Sequence, residues 1–117
     1  MPHMLLIIED PAQRDTRTAA EGRAVYERML KFGADLKERG LLIASESLKS
    51  QKDAARLQVR SGRAQIVDGP FSEAKEMVGG FFLLACETRE EALAIAAQCP
   101  AAEWATVEVR ALAPCYE

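Results

Sequence analysis

Four charged side chains within nine residues of this chain could do chemistry together. Asp68, Glu73 and Glu76 are carboxylates, and Lys75 is an amine between the last two of them. A carboxylate whose pKa is tuned by its surroundings can move a proton, and an amine can neutralise an anionic substrate. Asp68 is therefore the candidate catalytic residue, and Glu73, Lys75 and Glu76 are candidate ligand-binding residues.

Glycines follow the first and the last residues of this charged cluster. Gly69-Pro70 predicts a tight turn directly after Asp68. Gly79-Gly80 predicts a strand entry with an unusual φ or with close approach of another backbone. A turn packed against such an entry would leave a small cleft, so Gly79 and Gly80 join the candidate ligand-binding residues. A structural interpretation stays open, in which Asp68 accepts a hydrogen bond within its own turn and the other charges are solvated.

The remaining titratable residues predict no metal site and no redox motif. Cys86, Cys99 and Cys115 are widely spaced and form no C-x-x-C pair. Cys86 and Cys99 lie in apolar surroundings and are predicted to be packed thiols, as in a protein of the reducing cytoplasm. The single histidine, His3, is expected on the surface of a frayed chain start. We expect no cofactor.

Composition excludes several classes of protein. The 117 residues are 49% hydrophobic and 28% charged, which predicts one globular domain over residues 1–117. No apolar run is long enough to span a membrane or to form the core of a signal peptide. The formal net charge is −3, and basic residues of the first half alternate with acidic ones. Because nucleic-acid binding needs a concentrated basic surface, we expect no nucleic-acid partner.

The elements that must position the charged cluster follow an α+β order. Strands are predicted over residues 4–9, 41–47, 80–86 and 106–112, with a hairpin over 55–67 that turns at Ser61-Gly62. A helix over 19–39 begins at a capping box formed by Thr18 and Glu21, and a shorter helix begins at the same spacing in Thr88 and Glu91.

Two β-α-β units joined through a hairpin predict a ferredoxin-like antiparallel sheet with both helices on one face. The strand over 80–86 is too apolar for a solvent-exposed face, because Phe81 and Phe82 point to opposite sides. We therefore expect a second copy of the chain to cover the other face, giving a homodimer packed sheet to sheet.

The segment over residues 68–82 resembles the DGPF-type branch of the YCII-related family through the pattern D-G-P-F-x-E-x-K-E-x-x-G-G-F. The start, M-x-x-M-L-L-I, and the ending, C-P-A-A-x-x-x-x-V-E-V-R, resemble the same family. This resemblance implies the dimeric α+β barrel fold. Other branches of the family have a proposed His-Asp pair with the His on the first helix, whereas the helix over 19–39 contains no histidine.

Three functional hypotheses stay open, because family members are mostly uncharacterised. The first is a small dimeric module that binds a small polar or carboxylate ligand or has a regulatory role. The second is a cofactor-free lyase or isomerase of a small carboxylate, in which Asp68 moves a proton while Lys75 or an arginine neutralises the substrate. The third is an accessory protein of an extracytoplasmic-function sigma factor, because some relatives are encoded beside such factors.

Overall fold

The computed structural model describes all residues from 1 to 117 and contains six strands and two α-helices. In chain order they are β1 (His3–Glu9), α1 (Ala19–Glu38), β2 (Leu42–Ser47), β3 (Ala55–Arg60), β4 (Arg63–Asp68), β5 (Met77–Leu84), α2 (Arg89–Gln98) and β6 (Thr106–Ala111). Short 3₁₀ helices occupy Gln13–Thr16, Gln51–Asp53 and Pro100–Glu103. The predicted α+β order is confirmed.

Four of the strands form one antiparallel sheet in the order β2-β5-β1-β6, and β3 pairs only with β4. This order interleaves two β-α-β units, so the last strand of each unit lies beside the first strand of the other. The smallest dimension of the molecule is 19 Å. Since packed layers lie roughly 10 Å apart, this thickness corresponds to one sheet and one layer of helices.

Both helices cover the same face of the sheet. Along β1, every second residue from His3 to Glu9 is buried and the residues between them are half-buried. The buried side chains join one core with residues of both helices, among them Leu5, Ile7, Phe32, Leu36, Ala92 and Ile95. The rings of Phe32 and Phe82 meet edge to face, with centroids 5.1 Å apart. The opposite face of the sheet has no cover within one chain.

The first helix begins at the predicted capping box. The Glu21 backbone N–H donates to Thr18 Oγ1 at 3.1 Å, and the Thr18 N–H donates to Glu21 Oε1 at 2.9 Å. The hydrogen bond from the Thr18 backbone is the main reason that the pKa of Glu21 lies below its ordinary value of 4.5. After Glu38, Gly40 adopts a φ of +71°, which ends the helix in the left-handed conformation that glycine favours.

The second helix begins with only half of the predicted capping box. The Glu91 N–H donates to Thr88 Oγ1 at 3.1 Å. The Glu91 carboxylate, however, accepts from the Glu87 N–H at 3.0 Å and not from Thr88. The helix ends at Gln98, before Pro100, as the sequence predicts.

Two expectations about the strands are wrong. His3 was expected at the surface but is 5% exposed, because it belongs to β1 and its Nδ1 lies 3.4 Å from the Cys86 carbonyl oxygen. The third strand of the main sheet begins at Met77, three residues before its predicted start. Gly79 and Gly80 therefore lie inside β5 and not at its entry.

The β3–β4 hairpin extends outside the main sheet. Ser61 and Gly62 adopt φ values of 53° and 74°, the positive-φ pair that a two-residue hairpin turn requires. The predicted hairpin is thus confirmed. Leu57 lies opposite Ile66, and these side chains are 62% and 64% exposed. One face of the hairpin is therefore apolar and uncovered in the single chain.

Neither α1 nor α2 has the length and apolar composition that a membrane-crossing helix needs.

Candidate functional site

A cavity of about 720 Å³ lies between α1 and the sheet. Most of its apolar lining comes from the middle of α1 and from the sheet face beneath it, including Ile7, Val25, Met29, Leu42 and Phe82. Its volume lies within the range of about 300–1,000 Å³ that is typical of small-molecule sites. We call it the helix cavity.

Glu9, the last residue of β1, forms part of the wall of the helix cavity and is 6% exposed. Its Oε1 accepts a hydrogen bond from Arg14 Nε at 2.6 Å. Its Oε2 has no hydrogen-bond partner in the protein. Because buried carboxylates are rare unless they are paired, Glu9 is a specialised feature of this cavity and not an ordinary strand residue.

Arg14, in the first 3₁₀ helix, links three strands at the corner of the structure where Glu9 lies. Besides Glu9, its guanidinium donates from Nη1 to the Leu48 carbonyl at 2.8 Å and from Nη2 to the Gly79 carbonyl at 3.4 Å. These bonds connect the end of β1 to the residue after β2 and to β5. The Arg14 charge is therefore largely compensated by Glu9 and by backbone carbonyl oxygens.

The double glycine of β5 makes room for its neighbours on both sides. A Cβ added to Gly79 would lie 2.7 Å from Glu9 Cδ, and one added to Gly80 would lie 2.8 Å from the Glu46 carbonyl oxygen. Neither glycine has a positive φ. The predicted close approach of another backbone is confirmed at Gly80, whereas the close neighbour of Gly79 is the Glu9 side chain. The predicted unusual φ is wrong for both glycines.

Arg17 lines the helix cavity and forms no ion pair with a carboxylate within 4 Å. It precedes α1, and its guanidinium carbon lies 5.7 Å from the ring centroid of Trp104, which also lines the cavity. Arg28 lies 5.4 Å from the same centroid but is paired with Glu103 at 2.5 Å. Arg17 and the partial positive charge at the N-terminus of α1 make this the end of the cavity that suits an anion, although the nearby Glu21 carboxylate offsets part of that charge.

Hydroxyl groups from β2 add polar capacity to the site. Ser45 and Ser47 line the helix cavity, and neither side chain makes a hydrogen bond within the protein. A hydroxyl can both donate and accept a hydrogen bond. These two residues can therefore bind either a donor or an acceptor group of a ligand. Lys37 lines the opposite end of the cavity, near the end of α1.

The site residues predicted from the sequence do not lie together in one cavity. Gly79 and Gly80 line the helix cavity, whereas Lys75 and Glu76 line a smaller cavity of about 400 Å³. Glu9 and Trp104 line both cavities and form the wall between them.

Asp68 and Glu73 line neither of these two cavities. Asp68 is the last residue of β4, on the exposed hairpin, and its side chain makes no hydrogen bond. The next N–H, that of Gly69, donates to the Ala54 carbonyl at 2.7 Å. Glu73 is exposed in the segment before β5. The catalytic role of Asp68 and the binding role of Glu73 stay predictions.

Sequence reasoning missed the residues that carry the helix cavity's polar character, namely Glu9, Arg14 and Arg17. One signal for Glu9 was available. It continues the alternation of Leu5 and Ile7 on the helix-covered face of β1, so a carboxylate at that position has to be accommodated beneath the helix layer.

The cysteines lie outside this site. Cys86 and Cys99 are buried at 2% exposure each, which confirms their prediction as packed thiols, and Cys115 is exposed. Burial raises the pKa of the Cys86 and Cys99 thiols above the ordinary value of 9.0. Both thiols therefore have low reactivity near neutral pH.

Comparison with known proteins identifies a family but no activity. The sequence profile of the YCII-related domain matches residues 1–115. A protein of Rhizobium meliloti (strain 1021), named "Uncharacterized protein R00369", is 42% identical over 62 residues, which are 51% of this chain and 50% of that protein. The matched stretch thus spans about half the length of this relative.

Proposed function

Because the chain belongs to the YCII-related family, whose name specifies no reaction, we propose a function from the site: it binds a small organic acid in the helix cavity. One observation carries this proposal. The wall of a ligand-sized cavity holds a carboxylate that is 6% exposed and has one oxygen without a partner. Such a polar group in a mostly apolar cavity is the arrangement that orients small molecules in binding sites.

The charge of the cavity favours an acid as the ligand. Of the charged residues that line the cavity, Glu9 and Arg14 neutralise each other. Arg17 and Lys37 form no ion pair, and Glu46 is the remaining carboxylate, so the lining has an excess of positive charge. An arginine and a helix N-terminus both stabilise a carboxylate. The apolar lining beneath α1 matches the hydrocarbon part of such a ligand.

Binding without turnover is the simplest function that fits these groups. No serine or cysteine in the helix cavity is hydrogen-bonded to a basic side chain, which is the arrangement that activates a nucleophile. The lyase or isomerase hypothesis assigns the proton transfer to Asp68, and the position of Asp68 outside the cavity gives it no support. We therefore retain the ligand-binding module as the proposal.

We also propose that the chain forms a homodimer through the uncovered face of its sheet, which gives the dimeric α+β barrel. On this face the central strands pair Leu6 with Phe81 and Met4 with Leu83. The edge strand β6 places Glu108 opposite Leu6 on the same face. An apolar centre beside charged edges is typical of a protein–protein interface, and a second copy of the same sheet provides a matching surface.

A matched pair of arginine variants tests the ligand proposal. Calorimetric titration with phenylacetate, 3-phenylpropionate, 4-phenylbutanoate and octanoate is expected to give measurable binding. Arg17→Gln is expected to weaken that binding by about tenfold or more, because it removes a charged donor. Arg23→Gln, on the exposed surface of α1 and outside the cavity, is the control and is expected to bind like the parent protein. No binding of any of the four acids, or equal loss in both variants, would contradict the proposal.

A further inference from the structure

We infer that the helix cavity selects organic acids whose polar end also carries a hydrogen-bond donor, a hydroxyl or an ammonium group. This inference rests on the proposed function and narrows its ligand class. The observation behind it is that Glu9 and Arg17 both line the cavity. Glu9 can only accept hydrogen bonds and Arg17 can only donate them.

The free oxygen of Glu9 requires a donor. Glu9 forms an ion pair with the Arg14 guanidinium. A carboxylate in an ion pair offers acceptor positions only. Its Oε2 has no partner within the protein. A ligand that excluded water from this wall without donating to Oε2 would leave a buried acceptor unpaired, which weakens binding.

The carboxylate of Glu9 is held in place, so it cannot turn away from an unsuitable ligand. Gly79 lies directly against it, and an added Cβ there would be 2.8 Å from Oε1 and 2.9 Å from Oε2. Arg14 fixes Oε1 from another side at 2.6 Å and is itself fixed by two carbonyl oxygens. A preorganised acceptor of this kind discriminates between ligands more strongly than a mobile one.

Glu9 and Arg17 lie at the same end of the cavity. The chain leaves β1 at Glu9, passes through the 3₁₀ helix that contains Arg14, and reaches Arg17 just before α1 begins. The helix then runs back over the sheet to Lys37, roughly 27 Å further on at 1.5 Å per residue. The donor and the carboxylate of the ligand therefore belong to one polar end, and its apolar part lies along the helix.

The charges of this end exclude related ligand classes. A dicarboxylate would place a second negative charge against Glu9 and be repelled. An ether or ester oxygen at the same position would face the carboxylate as one acceptor against another. A hydroxy acid or an amino acid with an apolar tail satisfies Arg17 and Glu9 together.

A set of acids that share one skeleton tests the inference. The probes are 4-phenylbutanoate and its hydroxy, amino and methoxy derivatives, substituted at carbon 2 or at carbon 3. In calorimetric titrations of the unmodified protein, the best hydroxy or amino acid is expected to bind about tenfold tighter than the methoxy and unsubstituted acids.

Two variants locate the source of that preference. Glu9→Gln keeps the size of the side chain but has an amide that can also donate, so the ratio of hydroxy to methoxy affinity is expected to fall toward one. Glu27→Gln, on the exposed side of α1 and outside the cavity, is the control and is expected to keep the parent ratio.

The possible outcomes separate this inference from the proposed function. Equal affinity of the unmodified protein for hydroxy and methoxy acids overturns the inference but leaves acid binding intact, and this result does not depend on any variant folding. A preference that survives in Glu9→Gln overturns the role given to Glu9. If none of the probes binds, the proposed function fails together with the inference.

Discussion

Gly79 and Glu9, far apart in the sequence, fit together so closely that a Cβ on Gly79 would lie 2.7 Å from the carboxyl carbon of Glu9. One glycine of the Gly79-Gly80 pair is thus explained by the carboxylate at the end of a neighbouring strand. The other is explained by the Glu46 carbonyl oxygen of β2. The glycine pair of the sequence motif therefore lies beside the partly buried ion pair of Glu9 and Arg14.

Gly79→Ala is expected to lower both stability and acid binding. The added methyl group has to displace the Glu9 carboxylate, and such overpacking costs about 1–3 kcal/mol. Thermal unfolding measured by circular dichroism, together with titration by 4-phenylbutanoate, checks this.

The control for the effect on stability is Gly22→Ala, in α1. An added Cβ at Gly22 meets no atom within 4 Å, and alanine in a helix is favoured over glycine by about 0.5–1 kcal/mol. Gly22→Ala is therefore expected to raise the melting temperature. Two variants with the same change in melting temperature would contradict the close fit of Gly79 and Glu9.

Removing Arg14 is expected to cost more than removing an exposed arginine. Arg14→Met leaves the buried Glu9 carboxylate without its cation, a loss of about 3 kcal/mol. Arg28→Met breaks a pair whose side chains are 50% and 63% exposed, for which about 0–1 kcal/mol is typical. Urea unfolding of both variants checks the difference.

A double variant separates the ion pair from general packing. In Arg14→Met combined with Glu9→Leu, no buried charge remains, so the combined loss is expected to be smaller than the sum of the two single losses. Strict additivity would show that Glu9 and Arg14 do not interact in the folded protein.

The capping box at α1 is expected to make stability depend on pH. The pKa of Glu21 is lowered in the folded protein, chiefly by its hydrogen bond from the Thr18 backbone. A carboxylate with a lowered folded pKa contributes stability above its unfolded pKa, and the contribution is lost as the pH falls through the folded value. Glu21→Gln is therefore expected to be less stable than the parent near pH 7 and to approach it below about pH 4. Thermal melts from pH 7 to pH 3 measure this, and a constant difference would refute it.

One of the three thiols is expected to react rapidly with Ellman's reagent at pH 8. Cys115 is exposed, whereas Cys86 and Cys99 are buried thiols with raised pKa values. The native protein should show one fast equivalent per chain, and guanidinium should release the other two. Cys115→Ser removes the fast phase. A fast phase that persists in this variant would mean that a buried thiol is accessible.

The proposed dimer predicts a contrast between two aspartate substitutions. Phe81→Asp places a charge in the apolar centre of the uncovered sheet face and is expected to convert the dimer to a monomer. Leu93→Asp, at a residue that is 42% exposed on α2, is expected to leave the dimer intact. Light scattering during size-exclusion chromatography measures both masses. A monomeric parent protein, or a dimeric Phe81→Asp variant, would contradict the proposal.

Most of the secondary structure could be predicted because its signals are local. The capping box of Thr18 and Glu21, the Ser61-Gly62 turn and the alternation along β6 each lie within a few residues. The start of β5 at Met77 could not be predicted, because it depends on contacts with neighbouring strands and not on a local signal. A glycine pair indicates a strand entry when it is considered alone, and only the neighbouring strands explain why it lies inside β5.

The helix cavity could not be predicted because its contacts join distant segments. Glu9 looks like a polar residue that ends a strand, and its burial depends on Arg14 and on β5. His3 looks like part of a frayed terminus, and it is buried because the chain near Cys86 closes over it. The charges of the sequence motif, from Asp68 to Glu76, attract attention by their density, yet only Lys75 and Glu76 line a described cavity.

The three partners of Arg14 have a consequence for folding. Its hydrogen bonds reach across 5, 34 and 65 residues of sequence, so this corner of the cavity exists only after β1, β2 and β5 have assembled. A ligand that needs the corner binds the native chain and not the unfolded one. At 100 times its dissociation constant, such a ligand adds about 2.7 kcal/mol to the free energy of unfolding. Under the proposed function, the resistance of the protein to unfolding and proteolysis would therefore rise with the concentration of the acid.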